Sequence, residues 1–161
     1  MCMTNDPVAV KKLLRIKQKF VWGYKVLRKY DEGGRYRGGV WESGASLSSP
    51  YFDYYEWKPG VNKSNSRMKD VCTSRKDIYK GIHVYLVKDI AMREKDNYEV
   101  IVKVKCELKD LLGAKFHGED ITKYQRAVFR QVYLPNTEYC KAMGLPYRKR
   151  NRSKVAFIFD E

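Results

Sequence analysis

"GIHVYLVKDIAMREKDNYEVIVKVKCELKDLLG", residues Gly81–Gly113, is the stretch that decides the fold class. Ile82, Val84 and Leu86 alternate with His83 and Tyr85, the two-residue period of a strand. Further on, Tyr98, Val100, Val102, Val104 and Cys106 take one side, leaving Glu99, Lys103 and Lys105 on the other with Ile101. The segment between them reads as a short helix, and "ELKDLLG" as a turn or second short helix. Strand, helix, strand without a regular βαβ alternation points to an α+β fold with a mostly antiparallel sheet.

Working outward, "NDPVAVKKLLRIKQKF" carries helix-entry chemistry. Asn5 or Asp6 serves as cap, and Pro7 sits at the first turn, where its missing N–H costs nothing. A helix from about Pro7 to Lys19 is expected, with Val10, Leu13, Leu14 and Ile16 on one side and Lys11, Lys12, Arg15 and Lys19 opposite. From Phe20 to Arg28, Phe20, Trp22, Tyr24 and Val26 share one face, as in a half-buried strand. Residues 31–50 and 60–77 read as long loops from their Gly, Ser, Pro and polar content, with the aromatic strand "YFDYYEW" between them. Arg126 to Leu134 reads as one strand stopped by Pro135. "NTEYCKAMG" reads as a helix capped by Asn136 or Thr137 and ended by Gly144, and "VAFIF" (Val155–Phe159) as a last short strand. With 161 residues, one domain spanning 1–161, built on roughly six strands and three or four helices, is the expectation.

Charge separates the function classes. Lys and Arg number 33 against 19 Asp and Glu, a net +14, which favours an anionic partner. Eight of the basic residues lie between Pro7 and Tyr30 and five between Arg148 and Lys154, with no acid in either segment. Taken separately, each run fits an ordinary solvated surface; segregated together, they fit a phosphate backbone, where every neutralised phosphate releases counterions. The candidate nucleic-acid-binding residues are therefore Lys11, Lys12, Arg15 and Lys19, then Arg35 and Arg37 of "GGRYRGG", then Tyr147, Arg148, Lys149, Arg150, Arg152 and Lys154. Tyr147, Tyr36 and Trp41 are candidate stacking surfaces for a single strand. A nucleoprotein complex or an acidic protein surface would satisfy the same cations.

Other classes find less in the sequence. No apolar run approaches the ~20 residues of a membrane span, and "MCMTNDPVAV" lacks a signal-peptide core, so a cytoplasmic protein without a membrane partner is expected. Cys2, Cys72, Cys106 and Cys140 are too scattered for a disulfide framework or a zinc knuckle and read as reduced thiols. "HGED" at His117–Asp120 is the one tight cluster of metal-ligand types. No Walker loop, G-x-S-x-G, H-E-x-x-H or dinucleotide fingerprint occurs, so neither a catalytic residue nor a cofactor is assigned.

The Gly81–Gly113 segment resembles the strand, short helix, strand part of ADP-ribosyltransferase-like domains, and of small phage and bacterial domains in which a "G-I-[HY]" strand precedes a helix and a Val-rich strand. The resemblance implies an NAD cleft with an Arg or His on an early strand, a Ser or Tyr on a middle strand and a Glu near the acceptor. Arg28, at the end of "YKVLR", stands in the first place. "SGASLSSP" (Ser43–Pro50) replaces the family's Ser-Thr-Ser element, and no Glu-x-Glu or Gln-x-Glu occurs. The short, basic, tyrosine-rich chain also resembles bacteriophage accessory proteins that act on nucleic-acid machinery.

Overall fold

The computed structural model describes residues 3–30, 35–37, 40–42, 46–49, 56–117 and 120–146. The chain opens with β1 (Met3–Thr4), α1 (Pro7–Leu14) and the long β2 (Phe20–Tyr30). Short strands β3 (Arg35–Arg37), β4 (Val40–Glu42), β5 (Ser46–Ser48), β6 (Glu56–Trp57), β7 (Gly60–Lys63) and β8 (Asp77–Ile78) follow. Then come β9 (Ile82–Tyr85), α2 (Lys88–Glu94) and β10 (Glu99–Glu107), and a 3-10 turn at Leu108–Asp110. The last described elements are β11 (Leu111–His117), β12 (Asp120–Phe129), β13 (Gln131–Leu134) and α3 (Asn136–Met143).

This is an α+β fold whose main sheet runs β11-β12-β9-β2-β10-β13-β7, with every pairing antiparallel. β2 organises it. Along one edge it pairs with β10 over its whole first nine residues, from Phe20–Glu107 to Arg28–Glu99. Along the other it is shared: β9 meets it at Tyr24–Tyr85, and β5 takes over from Arg28–Ser48 to Tyr30–Ser46, with β6 beyond.

Alternation along β10 sorts the two faces as expected from Val100 to Cys106, but Tyr98, expected beside the valines, precedes the strand and is 81 % exposed, and Glu99, expected on the polar side, is buried. Val102, Val104 and Cys106 are fully buried in the main core with Leu27, Leu47, Trp57, Ile82, Val84, Phe129 and Leu134. α1 adds Ala9, Val10 and Leu13 to that core beside Ala114 and Phe116 of β11. On the opposite face, α2 covers one end of the sheet by packing Ile90 and Ala91 on Val26 and Tyr85, with Tyr24 and Ile101 alongside.

β2 is oriented the other way from its most apolar reading. Gly23, Lys25 and Leu27 point into the core, and the face of Phe20 and Trp22 points outward and is partly exposed. The reason is space: a Cβ on Gly23 would lie 2.9 Å from Val84 Cγ2 and 3.2 Å from Cys106 Sγ, so ring side chains have no room there.

Other boundaries shift for local reasons. Asp6 caps α1, its carboxylate accepting from Val8 N at 2.9 Å with Pro7 behind it. The helix stops at Leu14 rather than Lys19, because Lys19 already extends to accept from Leu108 N at 2.9 Å; Leu14 is consequently exposed. The single strand expected over Arg126–Leu134 breaks at Arg130, whose N–H turns to the Asp110 carbonyl at 2.8 Å, separating β12 from β13. "LLG" begins a strand, β11, instead of closing a helix. α3 starts after Pro135 with no side-chain cap from Asn136 or Thr137, and Gly144 ends it at φ 69°. The loops expected at 31–50 and 60–77 contribute β3, β4, β5, β7 and β8, so both are threaded into sheets. "YFDYYEW" is described only at its end, as β6, and "VAFIF" lies outside the described residues.

Asn5 fastens the start of the chain to this framework. Its amide donates to the carbonyls of Cys72 at 3.0 Å and Ser74 at 2.9 Å and accepts from Ala114 N at 3.0 Å. Three separate segments meet on one buried side chain.

Candidate nucleic-acid interface

The antiparallel register between β2 and β10 builds an aromatic and cationic surface on the outward face. Trp22 lies opposite Lys105 and Tyr24 opposite Lys103. Each lysine leans diagonally toward the ring two residues earlier, the second-nearest cross-strand neighbour. Lys103 Nζ stands 4.7 Å from the Trp22 ring centroid and Lys105 Nζ 4.4 Å from that of Phe20. The two rings meet edge to face, centroids 6.0 Å apart with planes at 88°.

The surface continues across the sheet. Lys105 lies opposite Tyr133 and Tyr133 opposite Val61, which is 56 % exposed; Gln131 lies opposite Lys63, also exposed. Lys19, immediately before Phe20, is exposed as well. Two acids lie on the β2–β10 part of this face: Glu107, which pairs with Lys109 at 3.0 Å, and Glu99, buried at the far end opposite Arg28. The Glu138 carboxylate of α3 also accepts from Lys103 N at 3.0 Å. An exposed cation–π contact is worth about 0.5–1 kcal/mol, and a base stacked on an aromatic ring about 1–3 kcal/mol. A ring offered both therefore gains by taking the base.

Of the residues singled out by sequence, Lys11, Lys12, Arg15 and Lys19 are exposed on or just after α1, and Lys12 Nζ lies 5.5 Å from the Phe116 ring. Arg35 and Arg37 flank Tyr36 in a two-stranded ribbon with Glu42, Trp41 and Val40 opposite. Tyr147, Arg148, Lys149, Arg150, Arg152 and Lys154 lie outside the described residues, as does the Gly118–Glu119 part of "HGED". Sequence reading missed Phe20, Trp22, Lys103 and Lys105 as a site. Both alternations were visible, but the strand pairing that superposes them was not.

A second polar constellation lies beneath. Where β9 and β5 divide the edge of β2, the buried Lys25 ammonium donates to the His83 carbonyl at 2.9 Å. Burial lowers the Lys25 pKa to about 8, against the opposing pull of Glu99. Glu99 is itself buried and accepts from Asp96 N at 2.8 Å. The His83 ring is depressed to about 3, chiefly by burial and then by the Lys25 and Arg126 charges. The nearby Tyr79 backbone favours the protonated ring only weakly, and neither ring nitrogen makes a hydrogen bond of normal geometry. These groups sit in the interior, where a neutral imidazole and a carbonyl-bound lysine serve packing.

Among the described residues no three His, Cys, Asp or Glu side chains gather as a metal site, and Cys72, Cys106 and Cys140 are buried free thiols. No described helix is long and apolar enough to cross a membrane. No family model matches the chain, and no curated protein or solved structure is significantly similar to it.

Proposed function

We propose that this protein binds nucleic acid without catalysing a reaction on it, alone or within a nucleoprotein complex. The observation that carries the reading is the outward sheet face on which Lys103 and Lys105 cover Trp22 and Phe20. The net charge of +14 supports it, because cations held by the fold lose little entropy on meeting phosphates. The arginine-rich run from Arg148 to Lys154 supplies further phosphate contacts in this reading.

Binding of labelled RNA and DNA at several salt concentrations tests it. The Lys103→Glu/Lys105→Glu variant and the Arg148→Glu/Arg150→Glu/Arg152→Glu variant are each expected to weaken binding and flatten its salt dependence. Absence of binding at low salt, or binding indifferent to salt, removes the proposal.

One row of the sheet favours a second reading. Arg28 stands between Glu99 of β10 and Ser48 of β5 in direct register, with Glu56 of β6 next. Arg, Ser and Glu on three neighbouring strands fit the residue types of the ADP-ribosyltransferase resemblance. This reading expects a thermal shift with NAD that Arg28→Ala abolishes; no shift at saturating NAD ends it.

A further inference from the structure

Resting on nucleic-acid binding as the function, we propose that the β2–β10 face selects single strands, seating two splayed bases on Phe20 and Trp22 after each displaces the lysine over its ring. The geometry carries the selectivity. Nucleotides in a helical strand rise by about 3.4 Å each, whereas the two ring centroids are 6.0 Å apart. Two successive bases that reach both rings must therefore part from each other. The ring planes stand at 88°, so bases stacked on both are also rotated out of the parallel arrangement that pairing imposes. A duplex cannot present its bases this way, while an unpaired strand can splay and turn them.

The lysines complete the exchange. Lys103 and Lys105 are on the same face as the rings they cover, and both occupy positions two residues apart on β10. Displaced from the rings, their ammonium groups remain tethered within side-chain reach of the strand that displaced them. Each seated nucleotide thus meets one ring for its base and one cation for its phosphate. Lys63, exposed on the neighbouring β7, continues the cationic track.

Fluorescence anisotropy with labelled homopolymers of about 10 nucleotides, within the usual span of such sites, tests this against a duplex carrying the same label. Single strands are expected to bind the wild-type protein at least tenfold more tightly than the duplex at equal salt. Trp22→Leu, which keeps bulk without a ring, is expected to weaken single-strand binding about fivefold to tenfold with an unchanged salt slope. Trp22→Phe is expected to retain most of the affinity, and duplex binding to be the same in both. Circular dichroism establishes that each variant is folded, and the wild-type strand preference tests the proposal without any variant. Equal affinity for duplex and single strand, or Trp22→Leu binding like wild type, overturns the stacking proposal and leaves nucleic-acid binding standing. Failure of every probe to bind at low salt overturns both.

Discussion

Replacing Lys25 by Met asks what a charge inside the sheet does to stability. The group is fully enclosed, and its pKa falls from 10.5 to about 8, burial outweighing the attraction of Glu99. A fall of that size corresponds to about 3 kcal/mol of stability withheld at pH 7. Because the folded value lies below the unfolded one, the unfolded chain holds more protons between pH 8 and 10.5, and stability from this group rises with pH across that window. Met removes the buried charge but leaves the His83 carbonyl without its donor, a loss of about 1 kcal/mol. The expected net gain is about 2 kcal/mol at pH 7.5. It should disappear, and turn into a loss of about 1 kcal/mol, near pH 10.5, where the wild-type lysine is neutral. Urea unfolding of both proteins at the two pH values measures this directly. A variant less stable than wild type at pH 7.5, or a difference that does not change with pH, refutes the reasoning.

Two further changes probe the interior. His83 is neutral when folded, with a pKa lowered from 6.5 to about 3, so the unfolded chain takes up its proton first and stability falls as pH drops below 6.5. His83→Leu should therefore gain about 2 kcal/mol on wild type between pH 7 and pH 5, read as a change in the difference between their urea midpoints. Asn5→Ala should cost about 3 kcal/mol by leaving the Cys72 and Ser74 carbonyls and the Ala114 amide without their partner; a loss below 1 kcal/mol in equilibrium unfolding would show that water replaces all three.

Where one face of an element was chemically uniform, the sequence revealed it. Valines at 100, 102 and 104 against lysines at 103 and 105 left β10 one way to lie, and Asp6-Pro7 could hardly be anything but a helix start. β2 was ambiguous because aromatic rings are both the largest apolar groups and good surface groups beside lysines. What turned it was Gly23, whose missing side chain lets Val84 and Cys106 close over it. That contact joins residues far apart in sequence, and no local pattern announces it. The same applies to β5 and β7: Ser, Gly and Asn gave loop chemistry, and only the vacant edges of β2 and β13 made them strands. The interface was barely legible for this reason: Lys103 and Lys105 were read only as the polar side of a strand, and Phe20 and Trp22 only as one face of another.

The pairing of β2 with β10 has a kinetic side. Its contacts join Arg28 to Glu99 and Phe20 to Glu107, so the central strand emerges from the ribosome long before its main partner is made. At about 5–20 residues per second, that interval lasts several seconds or more, during which a ribbon rich in aromatics and lysines lacks the partner that pairs it from Phe20 to Arg28. High contact order of this kind slows spontaneous folding. A polyanion that shields Phe20 and Trp22 early would then compete with misassociation between nascent chains, making growth temperature and expression rate, rather than equilibrium stability, the variables that govern how much native protein accumulates.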